Sequence, residues 1–120
     1  MSDSPDKSSR YVSGYSPKDI EKRVVKSFLD VLILIEMKKQ NNLSGYDVTS
    51  FVNNKFGAIL SPGTVYATLY AIERKGLIKG EYDGRKTTYK LTDLGDVVIS
   101  SMMTDFNSQM NQFVQKFLMI

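Results

Sequence analysis

The 120-residue chain contains no cysteine and no histidine. Without cysteine it can form no disulfide, no thiolate metal site and no cysteine nucleophile. Without histidine it lacks the commonest general base and the commonest metal ligand. It also has no phosphate-cradling glycine loop and no cluster of carboxylates. We therefore expect a protein that is not an enzyme and that uses no metal and no cofactor.

A long apolar run is also missing. The most apolar stretch, residues 28–37, is interrupted by Asp30 and Glu36 and is far shorter than the roughly 20 residues of a membrane span. Residues 1–10 are polar and lack the apolar stretch of a secretory signal. These patterns predict a cytoplasmic protein without a membrane partner.

Apolar residues make up 42% of the chain, which is enough for one compact domain. The 16 basic and 13 acidic residues give a net charge of +3, which weakly favours a polyanionic partner. Residues 1–15 are polar and show no periodicity, so we predict a flexible tail.

Three helices are predicted in series, each by a capping serine followed by periodic apolar residues. They begin after Ser16, Ser44 and Ser61, and end at Asn41–Asn42, Gly57 and Gly76. The buried stripe predicted for the first helix comprises Ile20, Val24, Phe28, Val31, Leu32 and Ile35. The apolar face predicted for the second comprises Tyr46, Phe51, Val52 and Phe56.

The third helix has two different faces when its residues are projected at about 100° per step. One face is apolar, with Val65, Leu69 and Ile72, whereas the other is small or cationic, with Gly63, Thr64, Ala67, Ala71 and Arg74. Small residues let a helix approach another surface closely, as a helix in a DNA major groove must. The alternative is that these residues only occupy a solvated face.

A hairpin is predicted after the third helix, with strands at residues 77–82 and 86–91. Asp83-Gly84 lies between them and favours a two-residue turn, because both residues tolerate positive φ. Three helices and a hairpin over residues 16–91 predict a winged helix-turn-helix, a mainly α fold with a small β-hairpin. Residues 61–90 hold six basic and three acidic residues, so positive charge is concentrated on the third helix and the hairpin.

Residues 92–120 are predicted to form one long helix capped by Thr92. Its apolar stripe comprises Leu94, Val98, Met102, Phe106, Met110, Phe113 and Phe117. The small domain cannot cover a helix of about 39 Å, so we predict a dimerisation helix and a homodimer. The first helix is expected to share the interface through Val25, Phe28 or Leu29.

Three segments resemble the PadR family of transcriptional regulators. Residues 61–78 resemble the family signature that begins with Ser-Pro-Gly-Thr and ends with Gly-Leu-Ile. Gly45-Tyr46 resembles the Gly-Tyr at the start of the family's second helix. Residues 85–95 resemble its wing strand and the Thr-x-x-Gly that opens its C-terminal helix. Ala67 and Ser44 stand where the family often has proline, and the change at Ala67 is expected to alter the start of the recognition helix and with it the operator sequence. The resemblance implies a dimer that binds a pseudo-palindromic operator and commonly represses. Many relatives respond to a phenolic or other planar apolar effector near the dimer interface. Here, without tryptophan, such a site would rest on interfacial Phe and Met, residues that are more often plain core than a ligand site.

The predicted partner is double-stranded DNA. Thr64, Ala67 and Tyr70 are expected to face bases or sugars, with Gly63 allowing close approach. The residues expected to contact phosphates or the minor groove are Ser61, Arg74, Arg85, Lys86 and Thr87. Tyr66 lies between the two faces of its helix, so its ring could belong to the core while its hydroxyl group lies at the surface. The rival hypothesis is a winged helix that binds another protein instead of DNA.

Overall fold

The computed structural model describes residues 12–119. The helices in this part of the chain are α1 (Pro17–Ser27), α2 (Leu29–Lys39), α3 (Gly45–Phe56), α4 (Pro62–Arg74), α5 (Asp93–Thr104) and α6 (Phe106–Leu118). The strands are β1 (Leu43–Ser44), β2 (Ile78–Tyr82) and β3 (Thr87–Leu91). The mainly helical fold with a small hairpin is therefore confirmed. Residues 1–11 of the predicted tail, and Ile120, lie outside the described residues.

Hydroxyl side chains start four of the helices, as the sequence predicted. Ser16 Oγ accepts a hydrogen bond from Asp19 N at 3.0 Å, and the Asp19 carboxylate accepts one from the Ser16 N–H in return. Ser44 and Asp47 form the same reciprocal pair at the start of α3. Because these bonds satisfy backbone donors that a helix leaves free, they determine where each helix begins.

The core lies between α2, α3, α4 and the sheet. Its most deeply buried side chains are Leu29, Ile33, Met37, Val48, Val52, Val65, Leu69, Ile72, Ile78 and Ile99. Burying each of these side chains stabilises the fold by roughly 1.5–3 kcal/mol. The prediction that Val65, Leu69 and Ile72 form the inner face of α4 is confirmed.

The first predicted helix is two helices, because the chain breaks at Phe28 (φ −114°, ψ 30°). Its predicted buried stripe was also wrong in its first half, since Ile20, Val24 and Phe28 are exposed. Val25 and Leu29 are buried instead. The segment is apolar on two adjacent sides, so periodicity alone did not decide which side the core would cover.

The second helix departs from prediction at its start. Tyr46 is 78% exposed and does not belong to the apolar face, whereas Val52 is fully buried. The short strand β1 before this helix was not predicted. It pairs with β3, Leu43 opposite Tyr89, and the antiparallel sheet has the order β1-β3-β2.

The hairpin turn is centred one residue later than predicted. Asp83 N donates to Lys86 O at 3.1 Å, so Gly84 and Arg85 are the two central residues. Gly84 has a φ of 96°, while Asp83 stays outside the positive-φ region. Asp83 instead accepts hydrogen bonds at Oδ1 from the backbone N–H groups of Arg85 and Lys86.

The C-terminal segment is broken at Asp105 (φ −115°, ψ 13°), so one continuous helix was a wrong prediction. Thr104, Asp105, Asn107 and Ser108 are of residue types that weaken a helix interior by competing for backbone hydrogen bonds, and Thr104 Oγ1 does donate to Ser100 O at 3.1 Å. Within residues 12–119, every helix falls short of the length and hydropathy that a membrane crossing requires.

α5 is attached to the body through a close backbone contact. A methyl group at Gly95 would lie only 1.9 Å from the carbonyl oxygen of Leu77, so only glycine fits. Thr92 Oγ1 accepts from Gly95 N at 3.0 Å and donates to Gly76 O at 2.6 Å. Ile99 is buried one turn further on. These contacts fix the direction in which the C-terminal helices leave the body.

Candidate nucleic-acid interface

Helix α4 presents an outer face of small, hydroxyl and cationic residues. Gly63, Thr64, Ala67 and Arg74 are all exposed, and Ala71 is half-buried. The nearest atom to a methyl group placed at Gly63 would be Ser61 Oγ, at 4.0 Å. Another surface could therefore approach this part of the backbone closely.

Three hydroxyl groups at the start of α4 are hydrogen-bonded within the helix. Ser61 Oγ accepts from Thr64 N at 3.2 Å and lies 2.9 Å from Thr64 Oγ1. Thr68 Oγ1 donates to Thr64 O at 2.8 Å. Ser61 thus has a capping role as well as the phosphate contact predicted for it. Both Ser61 and Thr64 remain exposed and retain acceptor capacity.

Two tyrosines complete this face of α4. Tyr66 is 40% exposed and Tyr70 is half-exposed, and their ring centroids are 6.1 Å apart. The Tyr66 side chain, for which the sequence left core and surface both open, is partly exposed, and its hydroxyl end lies against Gly45 at the start of α3. Tyr46, which the sequence placed in the core, is a further exposed tyrosine, at the start of α3.

The wing carries its cations at the turn. Arg85 and Lys86 are exposed, and Thr87 is half-buried as the first residue of β3. Hydrogen bonds from the backbone N–H groups of Lys86 and Arg85 lower the pKa of Asp83. The Asp83 carboxylate therefore stays ionised and shapes the turn without forming an ion pair with either cation among the described residues.

A hydrogen bond joins the wing to α4, and an aromatic contact holds the two strands of the wing together. Glu73 Oε2 accepts from the Gly80 N–H at 2.9 Å, which ties the end of α4 to β2. The buried Tyr89 ring of β3 lies against Gly80, where a methyl group would come within 2.7 Å of Cε2. Contacts within the domain therefore hold the wing in a defined orientation relative to α4.

An open groove of about 290 Å³ runs along α4 and was not anticipated from the sequence. Its lining residues are Lys26, Ser27, Leu29, Asp30, Ala67, Thr68, Ala71, Ile72 and Lys75. Among the described residues, neither Lys26 nor Lys75 has a carboxylate within ion-pair distance. Two cations therefore flank the small residues of α4. The only sequence signal for Lys26 was its charge, because its proximity to α4 depends on the break at Phe28.

The stripe predicted for dimerisation is mostly uncovered. Leu94, Val98, Met110, Phe113 and Phe117 are exposed, whereas Met102 and Phe106 are half-buried. None of the described residues of α6 is buried. Val25 and Leu29, by contrast, are enclosed in the core of their own subunit and cannot serve as interface residues; Phe28 is exposed.

The order of elements, with a two-faced α4 followed by a cationic hairpin, defines a winged helix-turn-helix protein. Residues 31–101 match the family described as the "Transcriptional regulator PadR-like family". The chain belongs to this family, and it is accordingly a member of a family of transcriptional regulators and not of enzymes. The resemblance noted in the sequence is confirmed.

A curated relative is the transcriptional activator GvpE1 of Halobacterium salinarum, which is 24% identical over 109 residues. The match covers 78% of this chain and 57% of the relative, so the chain spans little more than half of that protein's length.

Solved structures show the same fold. A PadR family transcription regulator from Clostridium difficile is 27% identical, with a TM-score of 0.62 over 72% of this chain and 98% of that one. A PadR-like transcriptional regulator from Bacillus cereus has a TM-score of 0.66 at 21% identity, over 82% of this chain and 98% of that one. Bacillus subtilis PadR, solved in complex with operator DNA, is 26% identical, with a TM-score of 0.53 over 63% of this chain and 47% of that one.

Proposed function

We propose that the protein is a sequence-specific DNA-binding transcriptional regulator that binds its operator as a homodimer. The observation that carries this proposal is the outer face of α4, where small and hydroxyl residues stand beside exposed tyrosines and are followed by a cationic wing. The complex of Bacillus subtilis PadR with operator DNA supports the same use of the fold.

The proposed contacts divide into two groups. Gly63, Thr64, Ala67 and Tyr70 face base edges or sugars, because close approach and short polar groups suit the major groove. The residues proposed to hold phosphates are Ser61, Arg74, Arg85, Lys86 and Thr87, together with Lys26 and Lys75 beside the groove along α4.

A second copy of the chain is the proposed occupant of the exposed apolar face of α5 and α6. The described residues span 60 Å in their longest dimension and have a radius of gyration of 17.6 Å, well above the roughly 13 Å of a compact chain of this size. Large apolar side chains along α6 would be costly to leave in water. In this proposal residues 16–91 bind DNA and residues 92–120 hold the dimer together.

Two-fold symmetry would place the two α4 helices in successive major grooves, about 34 Å apart, on a pseudo-palindromic operator. We propose repression as the mode of action, because occlusion of a promoter requires no further contact surface. The haloarchaeal relative bears the name of an activator. A reporter gene placed behind the operator distinguishes the two, since repression lowers its expression and activation raises it.

A small apolar effector remains a prediction tied to the dimer. Neither the groove along α4 nor the concavity beside Lys79 and Lys90 is lined by Met110, Phe113 or Phe117, and these three side chains are exposed on α6. An effector site built from these side chains would therefore have to form between two subunits.

Selection of bound duplexes from a random library, followed by sequencing, tests the proposed function. We expect recovered sites with inverted repeats whose centres are about one helical turn apart. Sites without symmetry would contradict the dimeric arrangement. No enrichment even in dilute buffer would contradict DNA binding and favour a winged helix that binds protein.

The double variant Arg85→Gln/Lys86→Gln tests the wing. Each phosphate contact releases counterions from the DNA, so the variant should bind every DNA sequence more weakly. The slope of log affinity against log salt concentration should fall by about one to two for each wing, which corresponds to the loss of one to two phosphate contacts. Lys39→Gln, which removes an exposed charge at the end of α2 that belongs neither to the proposed DNA contacts nor to the dimerisation helices, serves as the control. An unchanged slope in the wing variant would remove the wing from the mechanism.

A further inference from the structure

The first turn of α3 packs against the tip of a tyrosine ring from α4. Gly45 is buried there, and a methyl group on its Cα would lie 2.7 Å from both Cζ and Oη of Tyr66. The φ of Gly45 is not positive, so its backbone conformation does not require glycine. What the position requires is space, and the Tyr66 ring fills it.

The ring held in this way lies beside Tyr70, which belongs to the proposed DNA-facing surface. Tyr66 is partly exposed and lies one helical turn before Tyr70, with the two ring planes inclined at 36°. A ring held at its tip by α3 has little freedom to swing about its own helix. The two tyrosines therefore present one aromatic surface of defined shape.

A third tyrosine connects this surface to the wing. Burial first, then the neighbouring Tyr70 and Glu73, raise the pKa of Tyr89. Tyr66 acts on the pKa of Tyr89 in the same direction, but more weakly.

We propose that Gly45 is a positioning residue that sets operator selectivity by seating Tyr66, so that Tyr66 and Tyr70 meet the bases as one fixed surface. This inference rests on the proposed DNA-binding function. The exposed edges of the two phenol rings can make apolar contact with thymine methyl groups and sugars. Phosphate contacts from the cations would supply affinity without selectivity, so the two effects can be separated.

Gly45→Ala should alter the tyrosine surface without unfolding the protein. The three atoms nearest to the added methyl group all belong to the end of the Tyr66 side chain, and this partly exposed side chain can rotate towards solvent. Gly95 offers the opposite case, because a methyl group there meets the backbone carbonyl of Leu77. A methyl group at Gly45 would therefore displace a side chain, whereas a methyl group at Gly95 would displace the backbone.

The test is a double-mutant cycle of Gly45→Ala, Tyr66→Ala and the double variant. Affinity is measured for a duplex recovered by selection and for a scrambled duplex of the same composition. Each single variant should lose about tenfold or more on the selected duplex, as for one lost base contact, and less than about twofold on the scrambled one. The double variant should bind no worse than Tyr66→Ala alone, because the methyl group then meets no ring.

Equal losses on both duplexes, or an undiminished effect of Gly45→Ala in the Tyr66→Ala background, would overturn the inference. If Gly45→Ala fails to fold, Tyr66→Ala decides, since retained selectivity in that variant also overturns the inference.

Incorporated fluorotyrosine gives an independent readout of the position of the ring. The 19F resonance that disappears in Tyr66→Phe belongs to Tyr66, and it should shift in Gly45→Ala. If the wild-type chain does not discriminate between the duplexes, the proposed function itself fails; if it does and Gly45→Ala behaves identically, only this inference fails.

Discussion

The body of the protein and its C-terminal helix α6 use the same kind of sequence pattern in opposite ways. In α4, apolar residues at helical spacing lie in the core, and Leu69 is fully buried. In α6, apolar residues at the same spacing lie at the surface, and Phe117 is 64% exposed. Periodicity thus predicts that a face needs covering, but it does not say whether the same chain or a second one covers it.

The largest effect on folding should come from the body. Leu69→Ala removes a fully buried side chain and leaves a cavity between α4 and the rest of the core, which costs about 2–5 kcal/mol. Leu118→Ala, on the exposed face of α6, is the matched control and should change the free energy of unfolding by less than about 0.5 kcal/mol at monomeric concentrations. Urea unfolding followed by circular dichroism measures both, and equal losses would erase the distinction between the two regions.

The junction between body and C-terminal helices should be the next most sensitive position. Gly95→Ala places a methyl group against the Leu77 carbonyl and forces α5 away from the body, at a cost of about 1–3 kcal/mol. Gly63→Ala is its control for folding, because the position is open and helical. A thermal unfolding midpoint for Gly95→Ala equal to that of wild type would show that the contact does not anchor α5.

A buried carboxylate makes a smaller, pH-dependent contribution within the body. Burial raises the pKa of Glu36, but hydrogen bonds from Lys55 and Gln40 outweigh burial and hold it below its ordinary value. Lys55 Nζ lies 3.0 Å from Glu36 Oε1 and joins α3 to α2. Because the folded-state pKa is depressed, this stabilisation is fully present above the ordinary value and is lost as pH falls through the folded-state pKa.

Glu36→Gln should therefore lower stability by about 1 kcal/mol at neutral pH and flatten the acid side of the stability profile. Asp30→Asn is the control, because Oδ1 of this half-buried aspartate accepts a hydrogen bond from the neighbouring Val31 N–H and, among the described residues, Asp30 forms no ion pair. An acid limb as steep in Glu36→Gln as in wild type would assign the pH dependence to other carboxylates.

The smallest effect on folding of a single subunit should come from the exposed stripe. Phe113→Asp/Phe117→Asp changes two stacked, exposed rings 5.7 Å apart. Subunit stability should stay within about 0.5 kcal/mol of wild type when both proteins are monomeric. Sedimentation velocity should nevertheless show loss of the dimer, and a persistent dimer would place the interface elsewhere.

Local signals in the sequence predicted the starts of elements well. Ser61 and Thr92 were identified as caps because a hydroxyl before a helix has a specific hydrogen-bonding role, and that role does not depend on the rest of the fold. The inner face of α4 was predictable for a related reason, since its opposite face has no large aliphatic side chain to compete for burial.

Features that depend on tertiary packing could not be predicted. Phe28 interrupts a segment that is apolar on two sides, and only the packed core selects the side that carries Leu29. Tyr46 was assigned to the core by residue type, whereas the space beside Gly45 is filled by Tyr66 from another helix. The strand β1, with two residues, is too short to have a period.

The central claim is that two chains present α4 and the wing to one duplex. Sedimentation equilibrium of the protein with a duplex recovered by selection tests this most directly, because it counts chains per DNA. The account predicts that two chains bind one inverted repeat. A duplex cut to a single half-site should bind one chain, and only at a much higher protein concentration. A complex of one chain per full site, or no complex in low salt, would contradict it.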